Sequence, residues 1–480
     1  MSTNPAVSAR FVLRFAGAVL LATALCRPGL ADGPALPGLV SKGLIGVGSL
    51  PGNTRDKFGE TTISGSGIAV DRASWQRDGD TLRGTIYMLP DRGWNVEGTI
   101  DYRARFHKVN VSIAPGNVTM SVADTIMLTD ADGKQITGLD PVRVRAPVNG
   151  FPEMPEAENG LISLDAEAIT LNPDGTFFVS DEYGPYIYRF SPQGKMLGAI
   201  RPPDAFIPKR KGATNFSSNN PGPGASKPEP PNPEFGRQNN QGLEGMSLTP
   251  DGKTLVAILQ SATRQDGGNA PETRDHTRIL FYDVSDLANP KLIRENVVVL
   301  PNFKDEQGRR RIAAQSELLA LDDKRFFLLS RDSNNGYGMK GSTSVYRRVD
   351  LLDTSRATNI AGTDYDGAKP IAPGGKLADG VTAATLSPFI DINDNAQLNK
   401  FGLHNGEPND KTNLSEKWEA MGLVPALDPA NPRDFFLIVG NDNDFMTQDG
   451  FQAGAAYKED SGADLDSRLL VYRITVPELR

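Results

Sequence analysis

The chain has 480 residues, 38% hydrophobic and 23% charged, with 49 Gly, 35 Pro and a formal net charge of −8. That negative balance leaves no electrostatic footprint for nucleic acid. The single cysteine, Cys26, lies near the N-terminus, so the rest of the chain has no thiol for catalysis or metal binding.

Residues 1–31 read as an export leader. Arg10 and Arg14 give a positive start, Phe15 to Leu25 is an apolar run too short to span a bilayer, and Gly29-Leu-Ala31 is a small-x-small cleavage site. Leu25 stands where a lipoprotein signal would place a small residue before its cysteine, which speaks against lipidation. The mature chain is expected to start near Asp32, to be periplasmic or secreted, and to carry no transmembrane segment. Without cysteine it has no disulfide, so its stability must come from its core or from bound ions.

Residues 32–480 read as one all-β domain, a β-propeller. Leu39–Val47 looks like a strand that precedes the first repeat. Residues 66–129 make a first unit, with Val118 to Leu128 as its outer strand, and 130–164 a polar loop. Asp165–Glu182 is the clearest unit: a strand, an Asn-Pro-Asp-Gly turn and a second strand ending in acids. The same pattern returns at Leu243–Gln260, Ser316–Asp332 and Trp418–Asp442, and in degenerate form at Ser66–Arg92. Each copy is followed by a third apolar strand, among them Tyr186–Phe190, Arg278–Tyr282, Ser344–Arg348 and Arg468–Arg473. Repeats made wholly of β segments point to radial blades. Ser66, Glu167, Glu244, Glu317 and Glu419 stand at equivalent positions, 73 to 102 residues apart. This is more than the ~40–50 residues of compact propeller repeats, so the surplus is loop. Five blades are expected; a sixth is the alternative if the gap after Glu317 hides another unit. The last repeat lacks one strand, which Leu39–Val47 would supply to close the ring. Residues 201–240 are Pro/Asn-rich and hold no regular strand; the bland expectation is a disordered surface loop and the sharper one a lid. Residues 391–416 are a second polar loop.

In a blade the innermost strand starts where the second strand ends. Glu167, Glu244, Glu317 and Glu419 begin inner strands; Asp91, Asp181, Glu182, Asp332 and Asp442 stand at or just past the ends of second strands. All are expected at one mouth of one channel. Like charges so placed raise each other's pKa unless cations intervene. Hard oxygen ligands with no cysteine and only three histidines favour Ca²⁺ or Mg²⁺ over Zn²⁺. The alternative for any one glutamate is to cap a strand or bind a neighbouring blade's amides. Arg92 and Arg331 would bind phosphate or carboxylate bidentately, or else pair with the same acids. His107, His276 and His404 read as surface or strand residues. No Gly-x-Ser-x-Gly elbow is present, and Asn413-Leu-Ser415 is a glycosylation-type triplet.

Taken together, Glu167-Ala-Ile169, Ser180-Asp-Glu-Tyr-Gly-Pro-Tyr-Ile-Tyr188, Asn240-Gln-Gly-Leu-Glu-Gly245, Ser316-Glu317, Ser330-Arg-Asp332, Lys417-Trp-Glu419 and Asn441-Asp-Asn-Asp-Phe445 resemble the phytase-like ("esterase-like activity of phytase") family of exported β-propellers, over about residues 55–475. Ser66 departs from the repeated glutamate. The resemblance implies hydrolysis of a phosphate ester or other ester. Ca²⁺ or another hard divalent cation would be held by Glu167, Glu244, Glu317, Glu419, Asp181, Asp332 and Asp442. Glu182 or Asp91 would move protons, and Arg92 and Arg331 would steady the phosphoryl oxygens. The partner would be a small phosphate ester or another anionic ligand. A non-catalytic binding propeller and a single-metal lactonase-type propeller are the alternatives.

Overall fold

The computed structural model describes residues 36–477 except 63–64 and 95–97. The expected leader and the start of the mature chain lie outside them. Five four-stranded antiparallel sheets make up the fold. Blade one is Gly67–Asp78, Thr81–Leu89, Arg105–Ala114 and Asn117–Met127. Blade two is Ala166–Leu171, Phe177–Asp181, Ile187–Phe190 and Met196–Ile200. Blade three is Leu243–Leu248, Thr254–Leu259, His276–Asp283 and Lys291–Val299, and blade four Ala314–Ala320, Arg325–Arg331, Arg347–Asp353 and Thr385–Asp391. Blade five is Trp418–Pro425, Asp434–Asn441 and Ser467–Thr475, completed by Val40–Leu50. Among the described residues only Asn395–Leu398 is α-helical, and no helix is long and apolar enough to cross a membrane.

The second strands show why the blades stack. Along Phe326–Leu329 every side chain is buried, and the strand period of two sends them to opposite seams. Phe326 and Leu328 pack with Ile258 and Phe281 of blade three, while Phe327 and Leu329 pack with Trp418 and Leu437 of blade five. A buried apolar side chain of this size contributes about 1.5–3 kcal/mol, and neither face is left for solvent. The inner strands approach closely. A Cβ on Gly67 would sit 2.8 Å from the Glu167 carbonyl oxygen, and one on Gly245 would sit 2.7 Å from the Leu318 amide nitrogen. Gly175 adopts φ +85° in the predicted Asn-Pro-Asp-Gly turn, and its N–H donates to the Asn172 carbonyl at 2.9 Å.

The stretch between Asp353 and Thr385 holds no further blade. Ile360, Ile371 and Ala372 fold back onto Val297 of blade three, so five is the count. The third strand of blade four begins at Arg347, a few residues later than the sequence pattern predicts. The closing strand runs antiparallel to the last one, from Val40 opposite Thr475 to Leu50 opposite Ser467.

Asp434 fastens that closure. It accepts from Lys42 Nζ at 2.6 Å, Arg473 Nε at 2.6 Å and the Thr475 hydroxyl at 2.7 Å. Burial works against its charge, but Lys42, Thr475 and Arg473 together hold its carboxyl below the ordinary range. Lys42 and Arg473 are partly exposed, so Asp434→Asn is expected to lower stability at pH 7 by about 1–2 kcal/mol. Because the folded pKa is depressed, this contribution is present above about pH 4 and fades as pH falls through the folded value. Urea unfolding of parent and variant at pH 7 and pH 3 checks it; an equal gap at both pH values would refute it.

Candidate functional site

The repeated glutamate sits at an irregularity in strand pairing. In blade three Leu243 faces Leu259 and Gly245 faces Ile258, leaving Glu244 as the extra residue of a bulge. In blade five Glu419 is extra between Trp418 and Ala420, and in blade two Glu167 lies within the shift between Ala166 and Ile169. A bulge re-aims a side chain, and these three glutamates line one cavity of about 340 Å³ at the channel mouth. Blade four differs by one residue. There the extra residue is Ser316, and Glu317 pairs regularly with Leu329. A one-residue slip sends a side chain to the other face. Glu317 accordingly turns into the seam between blades, where one oxygen accepts from the Met246 N–H at 3.1 Å and the Leu318 N–H at 2.8 Å. It does not line the cavity.

The acids at the second-strand ends also divide. Asp181 accepts from the amides of Asp165 (3.1 Å), Tyr183 (2.9 Å) and Gly184 (3.0 Å) and from the Tyr188 hydroxyl (3.2 Å). Asp332 accepts from the Ser344 hydroxyl at 2.6 Å, the Val345 amide at 2.8 Å and Asn335 Nδ2 at 3.1 Å. Both hold loops and neither lines the cavity. Asp91, Glu182, Arg92 and Arg331 do line it, with Glu416, Lys417 and Arg274. Asp442 stands beside Asp91 and Asp444, their ligand atoms all within 4.8 Å of one another. Asp165, Glu167 and Glu182 form a second triad of the same spread.

Burial dominates the electrostatics. It pushes Asp165 up to about 6, with Arg92 pulling the other way, and Glu419 up to about 7 against Lys417 and Arg331. Asp91, Glu167 and Glu244 are raised well above the carboxylate range, first by burial and then by neighbouring acids. The cations respond in kind. Burial opposes the charge on Arg92 and Lys417, but Asp165 for the first and Asp444 for the second more than offset it. Arg92 bonds Asp165 and Asn240, and Arg331 bonds Glu419. Several buried polar atoms are nevertheless without a partner: Asp165 Oδ1, Glu182 Oε2, Glu244 Oε2, Arg92 Nε and Arg331 Nε. Buried atoms of this kind need a partner, from a proton, water or an ion, and Glu182 and Glu244 stand close enough to share a proton.

Lys417, Asp444 and Asn240 belong to this site but fall outside the repeat, and Asp165 opens the second unit with no acid at the matching place in the others. Lys417 has no counterpart in the other blades, so comparing copies cannot find it. The only signal for Asp165 is its place two residues ahead of Glu167.

The 201–240 insertion is ordered, contrary to the bland expectation. Arg210 donates to the Pro230 and Pro231 carbonyls at 2.9 and 3.0 Å and to Asn239 at 2.6 Å. Arg237, fully buried, donates to the Tyr183 carbonyl at 2.6 Å and to that of Phe216. Asp140 accepts from the Ser217 hydroxyl (2.7 Å) and the amides of Ser218 (2.6 Å) and Asn220 (3.0 Å). Proline removes ladder donors, and these side chains pair the carbonyls and amides that a sheet would otherwise pair. Asn239 and Asn240 thereby wall the cavity. The histidines lie outside it: His107 is buried between Thr62 and Thr125, and burial pushes its ring down to about 3. Asn413 is buried and donates to the Ser342 carbonyl at 2.8 Å, so in the folded chain it offers no glycosylation site.

A family model described as "Phytase-like: Esterase-like activity of phytase" matches residues 66–445. An "uncharacterized secreted protein" of Arthroderma benhamiae is 42% identical over 456 residues, which is 85% of this chain and 88% of that one. Among solved structures, a luciferin-regenerating enzyme aligns over 87% of this chain and 92% of its own, at 8% identity and a TM-score of 0.28. The PQQ-bound aldose sugar dehydrogenase of Streptomyces coelicolor aligns over 92% and 97%, at 11% identity and a TM-score of 0.26. At such scores neither structure bears on the chemistry of this chain.

Two outcomes are expected. Arg237→Ala leaves the Tyr183 and Phe216 carbonyls without their donor, so it should cost about 3 kcal/mol and speed proteolysis within 201–240. Unchanged cleavage there would show that Arg237 does not moor the insertion. In chelator, stability should fall as pH rises from about 4 to about 7. Asp165 and Glu419 keep protons in the fold up to about 6 and about 7, whereas unfolded carboxyls lose theirs near 4. The folded state thus binds more protons over this span, and the slope is negative. A melting temperature that climbs with pH in chelator would overturn this.

Proposed function

Since the chain belongs to the phytase-like family, we propose that it is an exported, divalent-cation-dependent hydrolase of phosphate esters acting at this mouth. The observation that carries the reading is a set of unpartnered buried atoms around one cavity: oxygens on Glu182 and Glu244 in its lining and on Asp165 behind Glu182, suited to a cation, and Nε donors on Arg92 and Arg331 suited to an anion. Asp165, Glu167 and Glu182, with Glu244 beside them, would hold a hard ion such as Ca²⁺ in oxygen ligands. When bound, such an ion supplies Lewis acidity toward a phosphoryl oxygen. Arg92 and Arg331 orient the anionic group and meet charge that develops on its oxygens. Glu182 is placed to accept a proton. Asp91, whose raised pKa favours the protonated form, is placed to donate one. Asn239 and Asn240 of the ordered insertion form one wall of the cavity. Export rests on the 1–31 leader pattern and on the secreted relative; intact mass of the exported protein should start near Asp32.

The deciding experiment assays phosphate monoesters, carboxyl esters and lactones with Ca²⁺ and with chelator. Chelator is expected to abolish phosphate-ester turnover, and Glu182→Gln to lower it by about a hundredfold or more. Ca²⁺ at a hundred times its Kd should stabilise the parent by about 2.7 kcal/mol. Glu317→Gln should lower the melting temperature equally with and without chelator, because Glu317 serves the seam between blades. Ca²⁺-dependent stability with no turnover of any ester would favour the non-catalytic binding propeller. Turnover of lactones alone would favour the lactonase-type alternative.

A further inference from the structure

The two carboxylate triads at the mouth are not equivalent. In the triad of Asp165, Glu167 and Glu182, Arg92 reaches only Asp165, while Asp165 Oδ1 and Glu182 Oε2 are buried without partners. In the triad of Asp91, Asp442 and Asp444, none of the three side chains carries a buried unpartnered oxygen. Asp91 Oδ1 accepts from the Gly93 amide at 3.1 Å, and Asp442 Oδ1 from the Asp444 amide at 2.6 Å. Asp442 Oδ2 accepts from the Ser66 hydroxyl at 3.3 Å. The Lys417 ammonium lies 2.7 Å from Asp444 Oδ1 and 3.6 Å from Asp442 Oδ2.

Lys417 is held there by its chain neighbours. Its carbonyl accepts from the Asp442 amide at 3.1 Å. The next residue, Trp418, is fully buried, with its indole N–H donating to the Ser415 carbonyl at 3.1 Å. An ammonium offers three donors and a compact positive charge. Three carboxyl groups within 4.8 Å are stabilised by such a charge, whether it comes from solution or from the chain.

Granted the ion-binding reading given above, we propose that Lys417 is a resident cation: its ammonium fills the Asp91–Asp442–Asp444 triad, so the mouth takes one divalent ion, at Asp165–Glu167–Glu182, and not two. The distribution of unpartnered atoms is what this requires. In the triad with a lysine the ammonium faces Asp444 and Asp442 and no buried oxygen lacks a partner; in the other, Asp165 Oδ1 and Glu182 Oε2 lack one. Lys417 is thus a positioning residue that sets ion number and the net charge presented to an anionic substrate. The other triad has only Arg92, which bonds Asp165 and leaves Asp165 Oδ1 and Glu182 Oε2 unmet.

The test counts Ca²⁺ bound per chain, by equilibrium dialysis and native mass spectrometry, in the parent, Lys417→Gln, Lys417→Arg, Asp444→Asn and Glu182→Gln proteins. The parent is expected to bind one ion, Lys417→Gln two, and Lys417→Arg one. Asp444→Asn should keep the parent's ion and affinity, while Glu182→Gln should lose it. A parent that binds two ions overturns the proposal whether or not any variant folds. So does a folded Lys417→Gln protein that still binds one, or an ion lost in Asp444→Asn but kept in Glu182→Gln. No ion in the parent with one in Lys417→Gln would sink the ion site at Asp165–Glu167–Glu182 while upholding the role of Lys417. No ion in either would sink both.

Discussion

Carboxylates buried side by side are the constraint on which the rest of this structure depends. Nine acids stand at or just behind one end of the channel: Asp91, Asp165, Glu167, Glu182, Glu244, Glu416, Glu419, Asp442 and Asp444. Placing them there is unfavourable unless protons, cations or donors compensate. The chain supplies part of that compensation in Arg92, Arg331 and Lys417, and the raised acid pKa values record the part it does not. An ordinary hydrophobic ring would need none of this, so the apolar blades act as the scaffold that holds an unfavourable mouth in place.

Much of the ring was legible in the sequence because its cause is local and repeated. Alternating apolar strands, Gly-containing turns and a recurring acid leave the same mark in each copy, and the missing fourth strand of the last copy pointed to Leu39–Val47. Less of the mouth was legible. Counting residues aligns Glu317 with Glu244 and Glu419, yet a bulge placed one residue earlier gives that position to Ser316. Bulge placement depends on contacts between blades, which no single copy encodes. Asp181 and Asp332 were grouped with Asp91 and Asp442 by position alone. Whether an acid at a strand end faces the channel or caps the following loop depends on that loop's amides, and in blades two and four the amides win.

The insertion carries a related lesson. Its proline content confines pairing to one short hairpin, Lys209–Arg210 with Ala213–Thr214, contrary to the expectation of no strand, but does not exclude order. Its backbone is satisfied by side chains distant in sequence: Asp140 from the loop before blade two, and Arg237 bonded to a carbonyl that follows Glu182. Mooring the insertion and placing a cavity residue are therefore one arrangement. Composition reports the scarcity of strands, while Asp140 and Arg237 act across distances that composition does not register.

The closing strand has a consequence for how the molecule is made. Val40 pairs with Thr475, so the earliest of the described strands finds its partner only when the latest of them has been made. Until then Val40–Leu50, the outer strand of blade five, has no partner along its edge. The ring cannot be sealed during synthesis. Its final step is a loop closure spanning nearly the whole chain, the kind of non-local contact that slows folding. A nascent chain of this design stays open-ended, and so remains threadable, until its C-terminal segment arrives.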